Sequence, residues 1–152
     1  MINTHKSDSS EQIQAEEHIF SLVEQKLGIT LEKNKKLYLA DNVFTYIQPD
    51  FFSKDAYILG EIFSHIGKPK KAQNNKIAND ILKMLAYEKV TGTQFRKIIV
   101  VCDQDEYDNL QGLSVLAETI RQFEIDLLYV QIDEGLQHKL LAAQKRQRMI
   151  NE

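Results

Sequence analysis

Apolar residues recur along this chain in two rhythms, and the points where one rhythm gives way to the other divide it into elements. Ala15, Ile19, Leu22, Val23 and Leu27 fall on one face of a helix. Asp8 with Glu11 three positions on resembles a capping box at its start, and Gly28 is placed to close it in the left-handed conformation. Leu31 to Lys36 is polar and reads as a connection. The period then shortens to two. Leu37-Tyr38-Leu39 and Val43 to Ile47 supply strand material on either side of Asp41-Asn42, a pair that favours turns. Pro49 suits an edge or a strand start, and Ser53-Lys54-Asp55 reads as a hairpin turn into a longer strand, Ala56 to Ile66. On that strand Tyr57, Leu59, Glu61, Phe63 and His65 share one face, and Ile58, Gly60, Ile62, Ser64 and Ile66 the other. Both faces are largely apolar, which predicts a central strand in a covered sheet. These strands are expected to form a three-stranded meander.

Beyond Gly67, Pro69 and a run of lysines the period lengthens again. A helix is predicted from about Ala72 to Lys89, burying Ile77, Ile81, Met84 and Leu85 and stopping near Thr91-Gly92. Lys97 to Cys102 is a continuous β-branched run, the pattern of a buried parallel strand. A single helix carrying Leu110, Leu113, Leu116, Ala117 and Ile120 follows, then a strand from Leu127 to Ile132 and a last helix with Leu136, Leu140, Leu141 and Ala143. The predicted order α-β-β-β-α-β-α-β-α suits an α/β fold, a mixed sheet covered by helices with right-handed parallel crossovers.

Composition adds bounds. The 152 residues suffice for one domain with one sizeable core, here 11–152, after a flexible lead over 1–10. A single cysteine, Cys102, excludes an internal disulfide framework and a cysteine-based zinc site. No apolar run reaches the length of a membrane span and the first residues lack a signal-peptide core, so a cytoplasmic protein without a membrane partner is expected. The net charge of −3 argues against strong nonspecific nucleic-acid binding, but Lys68, Lys70, Lys71 and Lys76 cluster, as do Lys145, Arg146 and Arg148.

The first lysine cluster matters because it adjoins two isolated acids. Glu61 on a strand apolar on both faces places a carboxylate in a low-dielectric layer, which costs several kcal/mol by rough estimate unless a cation or partner neutralises it. Asp50 stands at the head of the preceding strand, beside Phe51 and Phe52. If the two strands pair antiparallel, the acids sit on neighbouring strands and can share a hard divalent ion such as Mg²⁺ or Mn²⁺.

Pro49-Asp50 with Glu61 eleven positions on, after an N-terminal helix, resembles the PD-(D/E)XK, or restriction-endonuclease-like, nuclease superfamily. The resemblance implies a three-layer α/β/α fold and a Mg²⁺- or Mn²⁺-dependent hydrolase acting on phosphodiester bonds. It also implies a metal held by Asp50, Glu61 and the backbone carbonyl of Ile62, and a nucleic-acid partner, DNA before RNA. A homodimer is a further expectation, since many small nuclease domains pair. The superfamily's lysine two residues after the Glu is replaced here by Phe63. Members are known in which the basic residue has moved to the next helix, and others that lack it are inactive, so a non-catalytic binding or scaffold protein is the alternative. Lys76, early in the next helix, and His65 are the candidates for the displaced catalytic base. His65 shares a face with Glu61 but lies four residues on, roughly 13 Å at strand rise. Lys68, Lys70 and Lys71 are the candidate nucleic-acid-binding residues.

Other chemistries leave fainter marks. Asp103-Gln104-Asp105-Glu106 follows a predicted strand and, with Glu61, loosely resembles a Toprim metal site for phosphoryl transfer; an acidic cap on the next helix or loop is the favoured reading. Glu16, Glu17 and Glu24 read as a solvated helix face. The 6 glycines form neither a dinucleotide-binding nor a Walker loop, and no nucleophile elbow is present.

Overall fold

The structure, a computed structural model, describes the backbone of residues 4–151 and the side chains of residues 10–150. Among them are five helices: α1 (Thr4–Leu27), α2 (Lys71–Thr91), α3 (Gln104–Asn109), α4 (Val115–Gln122) and α5 (Glu134–Asn151). The strands are β1 (Glu32–Lys33), β2 (Leu37–Tyr38), β3 (Tyr46–Ile47), β4 (Phe51–Ser53), β5 (Ile58–Phe63), β6 (Arg96–Val101) and β7 (Asp126–Tyr129). Five of them form one mixed sheet in the order β1-β4-β5-β6-β7. β1, β4 and β5 are antiparallel neighbours, while β5, β6 and β7 run parallel.

β5 lies in the middle of this sheet, as its two apolar faces predict. Ile58 and Ile62 enter one core with Ile19 and Val23 of α1 and Leu140 of α5. Leu59 and Phe63 enter a second core with Ile77, Ile81 and Met84 of α2 and Ile120 of α4. Helices therefore cover both faces, and the crossovers from β5 to β6 and from β6 to β7 both run on the α2 side. Two parallel crossovers of the same hand that advance in one direction place their helices on one face. No helix among the described residues is long and apolar enough to cross a membrane.

Several elements depart from the sequence reading. α1 starts at Thr4, before Asp8, so Asp8-Glu11 is not its cap and most of the expected lead lies within the helix; Gly28 does take the left-handed conformation at φ 70°. The polar connection contains β1, because an edge strand is defined by its partner, Phe51-Phe52, and not by its own burial. The meander expected from 37–39, 43–47 and 56–66 is instead made of β1, β4 and β5. The hairpin at Asp41-Asn42 does form, with Asn42 Oδ1 accepting from the Phe44 and Thr45 N–H groups at 2.7 Å, but β2 and β3 pair only with each other and dock on α2 through Leu37 and Ile47. The strand expected over 56–66 is shortened to Ile58–Phe63. The single helix expected to carry Leu110 to Ile120 is two. The Ser114 hydroxyl accepts from Ala117 N–H at 3.0 Å and starts α4 afresh, and Leu113 in the break is fully exposed.

Candidate active site

The site begins with the β4–β5 hairpin. Ser53 pairs with Ile58 and Phe51 with Gly60, so Asp50, one residue before β4, stands opposite Glu61. Gly60 fixes this register. The Phe51 ring lies directly over it, and a Cβ at that position would come within 1.9 Å of Phe51 Cζ. Asp50 continues the ladder with its side chain: Oδ2 accepts from the Ile62 N–H at 2.6 Å.

Glu61 is half-buried and hydrogen-bonded to the Asp50 carboxyl. Burial, then the nearby Asp50 and Asp80 charges, push its carboxyl up to about 9, and Lys76 only partly opposes them. Two carboxyl groups in hydrogen-bond contact share a proton, because both cannot ionise cheaply at that separation. Two more acids border the pair. Glu16 of α1 is raised above the usual carboxylate range by burial and by Asp50. Asp80 of α2 is raised by burial, against the pull of Lys76. Lys76 Nζ stands 3.4 Å from Asp80 Oδ2 and 5.8 Å from the centre of the Phe63 ring. The ammonium of α2 thus reaches back over the residue that occupies the strand position two after Glu61.

Two cavities of about 280 Å³ each meet here, with Glu16 and Ile62 lining both. The first also holds Phe20, Lys33, Asn34 and Asp50. The second runs past Lys76 and Gln73 to His65 and α5. Electrostatically the centre is acidic, with the carboxyl groups of Asp50, Glu61, Glu16, Glu17 and Asp80 against Lys76 and Lys33.

The fold thus gathers Asp50, Glu61, the Ile62 backbone and Lys76. His65 lies apart. It stacks on Phe63 with ring centres 5.7 Å apart, and its charged neighbours are Asp103, Arg148 and Lys70. Burial lowers its basicity. Lys68, Lys70 and Lys71 are exposed on the turn into α2. In the C-terminal cluster, Arg146 pairs with Glu11 of α1 at 2.7 Å, which ties α5 to α1. The Asp103 carboxylate caps α3, accepting from the Asp105 and Glu106 N–H groups at 3.0 and 3.3 Å. Glu61 is level with Ile99 on β6, so Asp103 lies four residues further along, about 13 Å. The acidic run is a helix cap that does not meet Glu61.

Glu16, read from the sequence as part of a solvated face, and Asp80, which the sequence did not single out, both border the pair. A signal exists for each. Glu16 directly follows Ala15 of the buried α1 stripe, and Asp80 precedes Ile81 of the α2 stripe, so both are turned inward. Glu24 is also not simply solvated, since its carboxylate accepts from Leu31 N–H at 2.8 Å. Among the described residues no three His, Cys, Asp or Glu side chains close around one metal position. Two carboxylates and a backbone carbonyl are hard oxygen donors of the kind that hold Mg²⁺ when water and phosphate oxygens complete the shell. Comparison with protein-family models, with curated proteins and with solved structures gives no match to this chain.

Proposed function

We propose that this protein is a Mg²⁺- or Mn²⁺-dependent nuclease of the restriction-endonuclease-like kind, hydrolysing phosphodiester bonds of nucleic acid, DNA before RNA. The observation that carries the reading is the Asp50–Glu61 contact across β4 and β5, with Lys76 Nζ over the Phe63 ring beside it. The sheet order, an antiparallel hairpin followed by parallel crossovers with helices on both faces, supports the three-layer α/β/α topology.

Asp50, Glu61 and the Ile62 carbonyl would hold the divalent ion. Bound there, it supplies an activated water and neutralises charge on the phosphodiester. The chain's own groups do the rest. Lys76 presents its ammonium to the non-bridging phosphate oxygens, where negative charge grows as water adds to phosphorus and gives its proton to solvent. The P–O ester bond breaks to an alkoxide that solvent protonates to the free hydroxyl. Asp80 holds that ammonium in place at 3.4 Å. Lys68, Lys70 and Lys71 neutralise flanking phosphates and set the strand's path. His65, with its basicity lowered, contacts a neighbouring phosphate as a neutral hydrogen-bonding group.

The test is cleavage of labelled single- and double-stranded DNA and RNA with Mg²⁺ or Mn²⁺ against EDTA. Metal-dependent cutting is expected, with a loss of about a hundredfold or more in Asp50→Ala. No cutting of any substrate, or an active Asp50→Ala protein, overturns the reading. The Lys76–Asp80 ion pair favours a second reading, a nucleic-acid-binding protein that keeps the fold without the reaction, because an ammonium engaged by Asp80 is less available to a phosphate. That protein would bind nucleic acid and show no saturable Mn²⁺ binding sensitive to Glu61→Gln.

A further inference from the structure

The second cavity is built differently from the acidic centre it adjoins. Its apolar lining comes from Ile62 and Phe63 of β5 and Leu140 and Ala143 of α5. Its walls carry four glutamines, one or two from each surrounding helix: Gln12 of α1, Gln73 of α2, and Gln144 and Gln147 of α5. Gln144 spends both ends of its amide on the Ile66 backbone, accepting from N–H at 2.8 Å and donating to the carbonyl at 3.1 Å, and so fastens α5 to the end of β5. The others keep hydrogen-bonding capacity. Gln73 Oε1 accepts from Lys70 N–H at 2.7 Å, which leaves its NH₂ to donate. Gln12 offers its oxygen while its NH₂ makes only a long 3.5 Å contact to Glu16. Gln147 has no hydrogen-bond partner among the described residues, and His65 lines the same cavity. Lys76 lines the cavity, and Lys70 and Arg148 lie close enough to His65 to oppose its protonation.

A lining that combines apolar side chains with amide donors and acceptors suits a planar heterocycle with a polar rim. Glutamine amides pair with base edges, and unpaired bases bind by apolar contact with one face while their edges are read. The lysines and arginine fit the phosphates attached to such a ring. Resting on the nuclease reading above, we propose that this groove receives the base of an unpaired nucleotide next to the phosphodiester held at Asp50 and Glu61. The substrate is then single-stranded or frayed nucleic acid, since a base stacked and paired within a duplex must leave the stack to enter a cleft of this size.

Anisotropy with a labelled strand in EDTA tests this without hydrolysis. The wild-type protein is expected to bind a single strand about fivefold or more tightly than a blunt duplex of the same sequence, or than the same strand with tetrahydrofuran spacers in place of its bases. Gln12 and Gln147 are exposed, so a Gln12→Ala/Gln147→Ala protein keeps its fold; it should lose most of the preference for bases while binding the spacer strand as before. Equal affinity for base-bearing and spacer strands, tight duplex binding, or an equal loss for both strands in the variant overturns the groove. The two readings fail separately. Asp50-dependent cleavage with no base preference sinks the groove alone, whereas a base preference without any cleavage sinks the hydrolytic reading alone.

Discussion

Two glutamates are held neutral in this protein, each by burial first, and they differ in what surrounds them. Glu61 is surrounded by other acids, whereas Glu106 of α3 is fully buried, with no hydrogen-bond partner for either oxygen among the described residues. Burial, helped by Asp103, pushes the Glu106 carboxyl up to about 8. A folded-state pKa above the unfolded value means that the folded protein binds the extra proton between the two. The stabilisation is complete below about pH 4.5 and is lost as pH rises to about 8. Glu106→Leu removes the carboxyl and fills its place with apolar atoms. It is expected to gain stability over the wild-type protein more at about pH 9 than at about pH 5, read by urea unfolding. A difference that does not grow with pH contradicts the account of this residue.

At the scale of elements, the hairpin β4–β5 sets the position of Asp50 against Glu61. Gly60 has no side chain because the Phe51 ring occupies that space, and Phe51 is itself fully buried. Gly60→Ala should cost about 1–3 kcal/mol, by overpacking, in a denaturant titration, and should weaken cleavage as Asp50 shifts away from Glu61. An alanine tolerated with both stability and activity unchanged would show that the register does not depend on this contact. Lys76 sits in the second turn of α2 and is half-exposed, so Lys76→Ala is expected to fold normally and to lose about a hundredfold in cleavage, with Mn²⁺ binding kept. The hairpin was legible in the sequence because alternation, the turn at Ser53 and the two acids all imply one register. β1 was not, since two exposed residues carry no pattern of their own. The break between α3 and α4 was hidden because Leu110, Leu116, Ala117 and Ile120 keep a helical spacing across it, and only Gly112 and Ser114 hint at an interruption.

For the whole molecule the deciding feature is an imbalance of charge at the point where α1, α2 and the sheet converge. Asp50 and Glu61 were visible as a pair because strand pairing is implied by sequence separation across a short turn. Glu16 was not, because nothing in α1 states which residue of the sheet it will face. The same holds for the glutamines, which come from three helices and acquire a common purpose only when these pack together. Under the proposed reading a divalent cation and a proton would compete for the same carboxyl oxygens at this centre, so binding one should release the other. With Glu61 raised to about 9, a divalent ion entering at neutral pH would displace close to one proton. Calorimetric titration of Mn²⁺ at about pH 7.5, in buffers of different ionisation enthalpy, measures this directly. Saturable binding with the release of about one proton, lost in both Glu61→Gln and Asp50→Asn, is the predicted result. Saturable binding that neither substitution changes, or no binding at all, would contradict the account.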